Sequence, residues 1–312
     1  MKTDESCWRA LPPGAEIGFW RSADDWRHRR LDWAQRAGAV GRGSLVFAGG
    51  RGDFIEKYLE PLAHWHERGW NVCSFDWRGQ GGSRGDIVGG HLDSFDPLVA
   101  DGAGFLSDWM RATPPPHVAV AHSMGGHVLL RILAEHRPAL AAAVLVAPMI
   151  GINTAPVPAA LGRAAARVMV KLGQARRGAW REARPEAPIG RIRRANLTSC
   201  ARRYADEAWW KRQEPGFELG PPSWGWLNAA YRSAEAFQSD ALASVATSIL
   251  ILGTDRDRLV SPVGIRQAAA ALPGAELTMF RDAAHELLRE SDPARSEAMA
   301  RIDEFLGRRA AA

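Results

Sequence analysis

The 312-residue sequence has few cysteines and no long run of apolar residues. Its longest uninterrupted apolar run, 139–147, has the length of a strand, whereas a membrane-spanning helix needs about 20 residues. The three cysteines, Cys7, Cys73 and Cys200, are odd in number and far apart, so they predict neither a disulfide framework nor a metal site. The first residues also lack the apolar core of a signal peptide. We therefore expect a cytoplasmic protein that does not span a membrane.

The remaining composition is typical of a folded globular chain. Hydrophobic residues make up 46% and charged residues 24%, which excludes wholesale disorder. The length fits two units of roughly 150 residues each, or equally one α/β domain with a large insertion.

Positive charge is concentrated in one segment. The formal net charge is +5, and most of the basic excess lies within 151–215. No recognition motif accompanies these residues, so nucleic acid is not an expected partner. Two interpretations stay open: the residues attract anionic head groups or the anionic inner face of a membrane, or they are simply solvated. They are Arg191, Arg193, Arg194, Arg202, Arg203, Lys211 and Arg212.

Short apolar runs alternate with helix-length segments, which predicts an α/β fold with a mostly parallel central sheet and helices on both faces. After an antiparallel hairpin within 16–33, the predicted strands are 44–50, 71–77, 117–122, 141–147, 248–253 and 276–280. The predicted helices are 58–68, 97–111, 124–135 and 261–271.

Strand signals are missing between about 149 and 237, which predicts a helical insertion that returns to the sheet near Ile249. One predicted helix there carries its apolar residues on a single face, namely Ala159, Leu161, Ala164, Ala165, Val168 and Leu172. We therefore divide the chain into core residues 1–148, an insertion 149–237 and core residues 238–312.

Ser123 is the candidate nucleophile because it lies between a predicted strand and a predicted helix. The residues two before and two after it, Ala121 and Gly125, are small, as a sharp strand-to-helix turn requires. Such a turn exposes the hydroxyl at the carboxyl edge of the sheet, where function collects in α/β folds. The alternative is an ordinary helix N-cap, the commonest use of serine before a helix.

A serine nucleophile needs a base and an acid that orients this base. His285 is the predicted base because it follows the last predicted strand, where a loop can place its imidazole over the sheet. His122 adjoins Ser123 but is expected to face away, since successive strand residues point to opposite faces. Asp257 and Asp255 are both candidate acids, and an apolar segment with a helix-starting proline after Asp257 favours that residue. The order Ser, Asp, His is that of α/β-hydrolases.

The glycine-rich loop after the first central strand is the predicted oxyanion loop, because glycine lets a backbone approach a substrate closely. We assign the donor N–H groups to Arg51 and to Met124, which begins the predicted helix. Gly50 is expected to contact the substrate. An ordinary glycine turn is the alternative.

Several segments together resemble the serine α/β-hydrolases of the lysophospholipase and monoacylglycerol lipase group. They are 50–58 (GRGDFIEKY), 75–83 (FDWRGQGGS), 122–126 (HSMGG) and the pairs 257–258 and 285–286. In the insertion, 196–198 (NLT) and 224–227 (WGWL) are similar to the bacterial lysophospholipase branch.

The resemblance implies an α/β-hydrolase fold with a helical lid and a serine esterase that acts on monoacyl glycerolipids. Trp224 and Trp226 of the lid either line an acyl channel or pack the lid onto the core. The chain departs from the family at Ala121, where a glycine is usual, and at Gly49, where a histidine is usual. Neither departure removes a catalytic group.

Other functions stay open at this point. A peptidase or a general carboxylesterase could use the same scaffold, since a triad does not select the acyl acceptor, and a binding protein could use it without catalysis. The sequence has no metal-ligand cluster and no phosphate-binding glycine loop, so we expect neither a metal nor a cofactor. The expected partner is a small lipid or ester substrate.

Overall fold

In the described part of the chain the central sheet has eight strands, and Ser123, Asp257 and His285 each follow one of them. The computed structural model describes residues 8–36, 38, 41–180, 188–237 and 239–310. The strands are β1 Glu16–Arg21, β2 Arg27–Trp33, β3 Gly43–Ala48, β4 Trp70–Phe75, β5 His117–His122, β6 Ala142–Val146, β7 Ser248–Thr254 and β8 Glu276–Phe280. Their spatial order is β1-β2-β4-β3-β5-β6-β7-β8, with parallel pairing from β4 through β8. The antiparallel hairpin of β1 and β2 forms one edge, which confirms that prediction.

Helices cover both faces of the sheet, as predicted. In the described part of the chain they are α1 Leu59–Glu67, α2 Asp96–Ala112, α3 Met124–Glu135, α4 Ala159–Lys171, α5 Pro188–Leu197, α6 Ala201–Gln213, α7 Trp224–Ala234, α8 Ser239–Ala243, α9 Pro262–Ala271 and α10 Asp292–Arg309. Buried residues of α1 and α10 form one hydrophobic cluster, and those of α2, α3 and α9 form another. None of the described helices is long and apolar enough to cross a membrane.

The chain leaves the sheet after β6 and returns at β7, and α4 to α8 lie between these strands. The residue limits given above for the insertion stay a prediction, and 181–187 and 238 lie outside the described residues.

The apolar face of α4 points outward. Leu161, Val168 and Leu172 are each more than half exposed, and only Ala166 of α4 is buried. The helix approaches α7 through its small residues, because a Cβ on Gly162 would lie 2.7 Å from the hydroxyl of Tyr231. The larger apolar side chains are therefore left on the surface.

Candidate active site

Ser123 lies in a strained turn between β5 and α3. Its φ of 52° is in the left-handed region, which is unusual for a residue with a side chain. A Cβ on Gly125 would lie 2.4 Å from the carbonyl oxygen of Gly49, so only glycine fits there. Ala121 is fully buried in the same turn, which therefore accommodates a methyl group in place of the usual glycine. This geometry is that of a nucleophile turn.

The three side chains predicted to act together lie within hydrogen-bond distance of one another. Nε2 of His285 is 2.9 Å from Oγ of Ser123, and its Nδ1 is 2.7 Å from Oδ2 of Asp257. The other carboxylate oxygen of Asp257 accepts hydrogen bonds from the backbone N–H groups of Leu259 and Val260, at 2.8 and 2.9 Å. These bonds fix the carboxylate against the imidazole, so the arrangement can move a proton away from the serine hydroxyl.

Asp255, the alternative acid, has a different partner. Its carboxylate is partly exposed and pairs with Arg266, whereas Asp257 is buried and bonded to His285. Of the two aspartates, Asp257 is thus the one that contacts the candidate base.

Burial and the ion pair act in opposite directions on the base and the acid. Burial lowers the pKa of His285, but the carboxylates of Asp257, Glu286 and Asp53 together raise it by more, so the net shift is upward from 6.5. Burial raises the pKa of Asp257, but His285 and two backbone N–H groups lower it by more. The carboxylate therefore stays ionised and stabilises a protonated imidazole.

The loop after β3 brings its backbone very close to Ser123. A Cβ on Gly50 would lie 3.0 Å from Cβ of Ser123. The N–H of Gly50 donates to Oδ2 of Asp53 at 2.6 Å and is already used. Arg51 comes next in this loop, and Met124, as the first residue of α3, has an N–H without a partner inside its helix. Arg51 and Met124 both line the cavity beside Ser123, and their role as oxyanion donors stays a prediction.

The side chain of Arg51 connects this loop to the insertion by a hydrogen bond. Its guanidinium donates to the carbonyl oxygens of Gly220 and Gly89, both at 3.0 Å, and lies 5.3 Å from the ring centre of Trp226. The loop after β3 is therefore held in place from outside the core sheet.

The C-terminal end of α5 is bonded to the loop that carries the base. The backbone N–H of His285 donates to the carbonyl oxygen of Asn196 at 3.2 Å, and that of Glu286 donates to Leu197 at 2.8 Å. The insertion thus contacts the site at the base as well as at the oxyanion loop.

The expectation that His122 faces away from the site is wrong. Its ring lies 4.9 Å from the ring of His285, and its Nδ1 is 3.0 Å from the hydroxyl of Tyr58 and 3.2 Å from the carboxylate of Asp53. The alternation of a strand no longer applies here, because the backbone turns sharply at Ser123. Burial lowers the pKa of His122, so its imidazole is neutral.

A cavity of about 440 Å³ adjoins Ser123. Gly50 and Trp226 line it, and their contact with a substrate stays a prediction. Trp224 is not part of the lining, because residues two apart on a helix point roughly 200° away from each other. Apolar side chains supply much of the wall, namely Met149, Ile152, Leu219, Trp226, Leu227, Leu259 and Val260.

Another part of the lining is a charged cluster that the sequence analysis missed. Nζ of Lys57 lies 2.7 Å from the carboxylates of Asp53 and Glu286 and 3.2 Å from that of Glu207. Arg289 pairs with Glu207 and Glu286. The members come from three distant segments of the chain, around 53–57, 207 and 286–289, so no single local pattern marks the cluster. Among the described residues no group of His, Cys, Asp or Glu is placed to hold a metal ion.

The sheet order, the nucleophile turn and the helices on both faces define the α/β-hydrolase class. Within this class, the family Hydrolase_4, described as serine aminopeptidase, S33, matches residues 40–292. The chain belongs to this family.

The chain is also similar to two named proteins over most of its length. The chain is 27% identical to the lysophospholipase L2 of Escherichia coli, over 98% of this chain and 94% of that protein. It is also 27% identical to a probable lysophospholipase L2 of Haemophilus influenzae, over 84% and 83% of the two chains.

Solved structures share the fold. The monoglyceride lipase of Saccharomyces cerevisiae superimposes with a TM-score of 0.75 at 15% identity, over 99% of both chains. The monoacylglycerol lipase of Paleococcus ferrophilus gives 0.67 at 19% identity, over 89% of this chain and 97% of that one. The resemblance seen in the sequence is confirmed.

Proposed function

We propose that the chain is a serine hydrolase that cleaves carboxylic esters of monoacyl glycerolipids, in the manner of a lysophospholipase or monoacylglycerol lipase. The observation that carries the proposal is the hydrogen-bonded relay from Asp257 through His285 to Ser123, beside a cavity with an extensive apolar wall. The similarity to a lysophospholipase and to a monoglyceride lipase supports the substrate class.

In the first half of the reaction, Nε2 of His285 takes the hydroxyl proton of Ser123 while Oγ attacks the ester carbonyl carbon. The carbonyl oxygen becomes an oxyanion, which the backbone N–H groups of Arg51 and Met124 stabilise. Each such donor raises the turnover rate by a factor of about 10²–10³. The intermediate then collapses. His285 gives its proton to the leaving alcohol, and the acyl group stays on Ser123.

In the second half, water replaces the alcohol. His285 takes a proton from this water as it attacks the acyl-enzyme, then returns a proton to Oγ of Ser123, and the fatty acid leaves. Throughout, Asp257 holds the imidazole in one tautomer and stabilises its protonated form.

Labelling with a fluorophosphonate probe tests the nucleophile. We expect the folded protein to form one covalent adduct on Ser123, and Ser123→Ala to lose both the adduct and hydrolysis of p-nitrophenyl esters. Ser244→Ala, which changes an exposed serine on the surface, is the control and should behave as the unmodified protein. Absence of labelling in folded protein would favour a non-catalytic binding protein, and activity that survives Ser123→Ala would contradict the mechanism.

A substrate panel tests the class of acyl acceptor. Lysophosphatidylcholine, a monoacylglycerol, a short-chain ester and an aminoacyl amide are compared by kcat/KM. We expect monoacyl glycerolipids to be the best substrates; preference for the amide would indicate a peptidase.

We also propose that the protein is cytoplasmic and that the outer face of the insertion contacts an anionic membrane surface. Leu161, Val168 and Leu172 expose apolar surface on α4, and Trp180 and Ile192 are exposed at the lining of the cavity. Arg191, Arg193 and Arg194 of α5 are exposed as well and supply positive charge. Arg203, counted above among the cations available to lipids, is not one of them, because it is buried and paired with Glu60.

A further inference from the structure

A chain of ion pairs leads outward from the active site along the charged part of the cavity. It begins at Asp53, whose carboxylate is 2.7 Å from Nζ of Lys57, and continues to Glu207 at 3.2 Å. Lys211 follows at 2.9 Å from Glu207, and Glu218 ends the chain at 3.6 Å from Lys211. All five side chains line the cavity that adjoins Ser123.

Exposure rises along this chain, which separates its inner members from its outer pair. The exposed fraction of the side chain is 4% for Lys57, 7% for Glu207, 17% for Lys211 and 43% for Glu218. The inner groups have several partners each at short range, whereas the distance between Lys211 and Glu218 exceeds that of a hydrogen bond. Lys211 and Glu218 can therefore give up their mutual contact and bind a ligand instead, with little loss of interaction energy.

Lys211 is charged and Glu218 is held in place. Burial lowers the pKa of Lys211, but Glu207 and Glu218 raise it by more. The turn that carries Glu218 is fixed because Arg84 donates to the carbonyl oxygen of Glu218 at 3.0 Å, and the neighbouring Phe217 stacks on Phe54 with ring centres 4.5 Å apart. A charged Lys211 and a fixed backbone at Glu218 thus meet at the outer end of the cavity.

We propose that Lys211 and Glu218 form a head-group subsite for a zwitterionic phosphate ester of the glycerophosphocholine or glycerophosphoethanolamine type. A phosphate oxygen of the substrate binds Nζ of Lys211, and the ammonium group binds the carboxylate of Glu218. The inference rests on the proposed function, since it places the leaving alcohol of that reaction along the charged lining and the acyl chain along the apolar one.

The order of the charges supports this assignment. Moving away from the ester carbonyl, such a substrate presents first the uncharged glycerol carbons, then the phosphate and last the ammonium group. Along the chain of ion pairs, the cation Lys211 lies closer to the active-site ion pairs, and the most exposed anion, Glu218, lies farther out. A monoacylglycerol has no charged group that could form an ion pair with either side chain.

Substrates with one acyl chain and different head groups test the subsite. The comparison uses short-chain lysophosphatidylcholine, lysophosphatidylglycerol and monoacylglycerol below their micelle concentrations, with kcat/KM measured for each. We expect Lys211→Met to lower kcat/KM for both phosphate-bearing substrates by roughly tenfold or more and to leave monoacylglycerol within about twofold. Glu218→Gln should affect only lysophosphatidylcholine, and Lys211→Arg should retain most of the discrimination.

Arg258→Met is the matched control, because Arg258 also lines the cavity but is exposed and belongs to no ion pair among the described residues. If Arg258→Met removes the phosphate discrimination and Lys211→Met does not, the subsite is wrongly assigned. Equal loss on all three substrates would make Lys211 a structural residue only, which also overturns the proposal.

If Lys211→Met fails to fold, the proposal is tested by the inhibition constant of glycerophosphocholine, measured for Glu218→Gln and for the unmodified protein. Glu218→Gln is expected to raise the inhibition constant of glycerophosphocholine and to leave that of glycerol 3-phosphate unchanged; no change in either overturns the subsite. These results are distinct from failure of the proposed function, in which the unmodified protein would hydrolyse none of the three glycerolipids.

Discussion

Asp257 and Asp255 are two residues apart, but they have different chemical partners. The carboxylate of Asp257 is buried and bonded to His285, so Asp257→Asn removes the charge that stabilises the protonated imidazole and favours the wrong tautomer. We expect kcat on a p-nitrophenyl ester to fall by about 10⁴-fold, with little change in thermal unfolding.

Asp255→Asn is the control for this prediction. Its carboxylate faces Arg266 on the surface, so kcat should stay within about twofold of the unmodified value. A larger loss in Asp255→Asn than in Asp257→Asn would mean that the acid has been assigned to the wrong aspartate.

The pH dependence of activity depends on the same ion pair. His285 must be neutral to accept the serine proton, and its pKa is raised above 6.5, so kcat/KM should rise with pH through an inflection above that value. In the residual activity of Asp257→Asn, the inflection should move to lower pH, because the ion pair that raises the pKa of His285 is lost. A profile already flat at pH 6.5 in the unmodified protein would contradict this electrostatic account.

Local sequence patterns pointed to Ser123, Asp257 and His285, because each follows a recognisable strand, and the structure brings these side chains within hydrogen-bond distance of one another. Their catalytic roles stay a prediction. The local patterns did not predict the orientation of the His122 side chain, because a strained turn redirects the backbone there. They also did not predict which side of α7 Trp224 occupies. The cluster around Lys57 depends on contacts between distant segments, and no local pattern predicts such contacts.

At the scale of secondary structure, α6 is joined to the core by a buried arginine. Arg203 donates to both carboxylate oxygens of Glu60, at 2.6 and 2.7 Å, and to the carbonyl oxygen of Glu290 at 2.5 Å. Arg203→Met leaves these acceptors without their donor, so we expect the free energy of unfolding to fall by about 3 kcal/mol in urea denaturation.

Arg212→Met, on the same helix, is the comparison for this prediction. Arg212 is exposed, and its removal should change the free energy of unfolding by less than about 0.5 kcal/mol. Equal effects of the two substitutions would show that α6 is not fixed by the buried pair.

Strands and core helices were easier to predict than the helices of the insertion. Continuous apolar runs identify strands buried on both faces, such as β5 and β6. An apolar helical face predicts that the face is buried but does not identify the element that packs on it. On α4 this face is exposed.

At the scale of the whole molecule, the exposed apolar face of α4 predicts binding to lipid vesicles. The double substitution Leu161→Asp and Leu172→Asp places charges on surface that would enter the bilayer, so cosedimentation with anionic vesicles should decrease at least about tenfold. Turnover of a water-soluble ester should be unchanged.

Val263→Asp is the control for vesicle binding, because Val263 is equally exposed but lies on α9 of the core. Binding that decreases as much with this control, or binding that is unaffected by the double substitution, would contradict contact through α4. Weaker binding at high salt would identify the contribution of the neighbouring arginines.

The hydrogen bonds between α5 and the loop of His285 restrict how substrates can reach the serine. A rigid-body movement of α5 would remove the carbonyl oxygens of Asn196 and Leu197 from the backbone N–H groups of His285 and Glu286, and so would release the loop that carries the imidazole. We therefore expect the substrate to enter while α5 stays docked, by rotation of side chains such as Ile192. The alignment needed for proton transfer is then kept throughout a turnover.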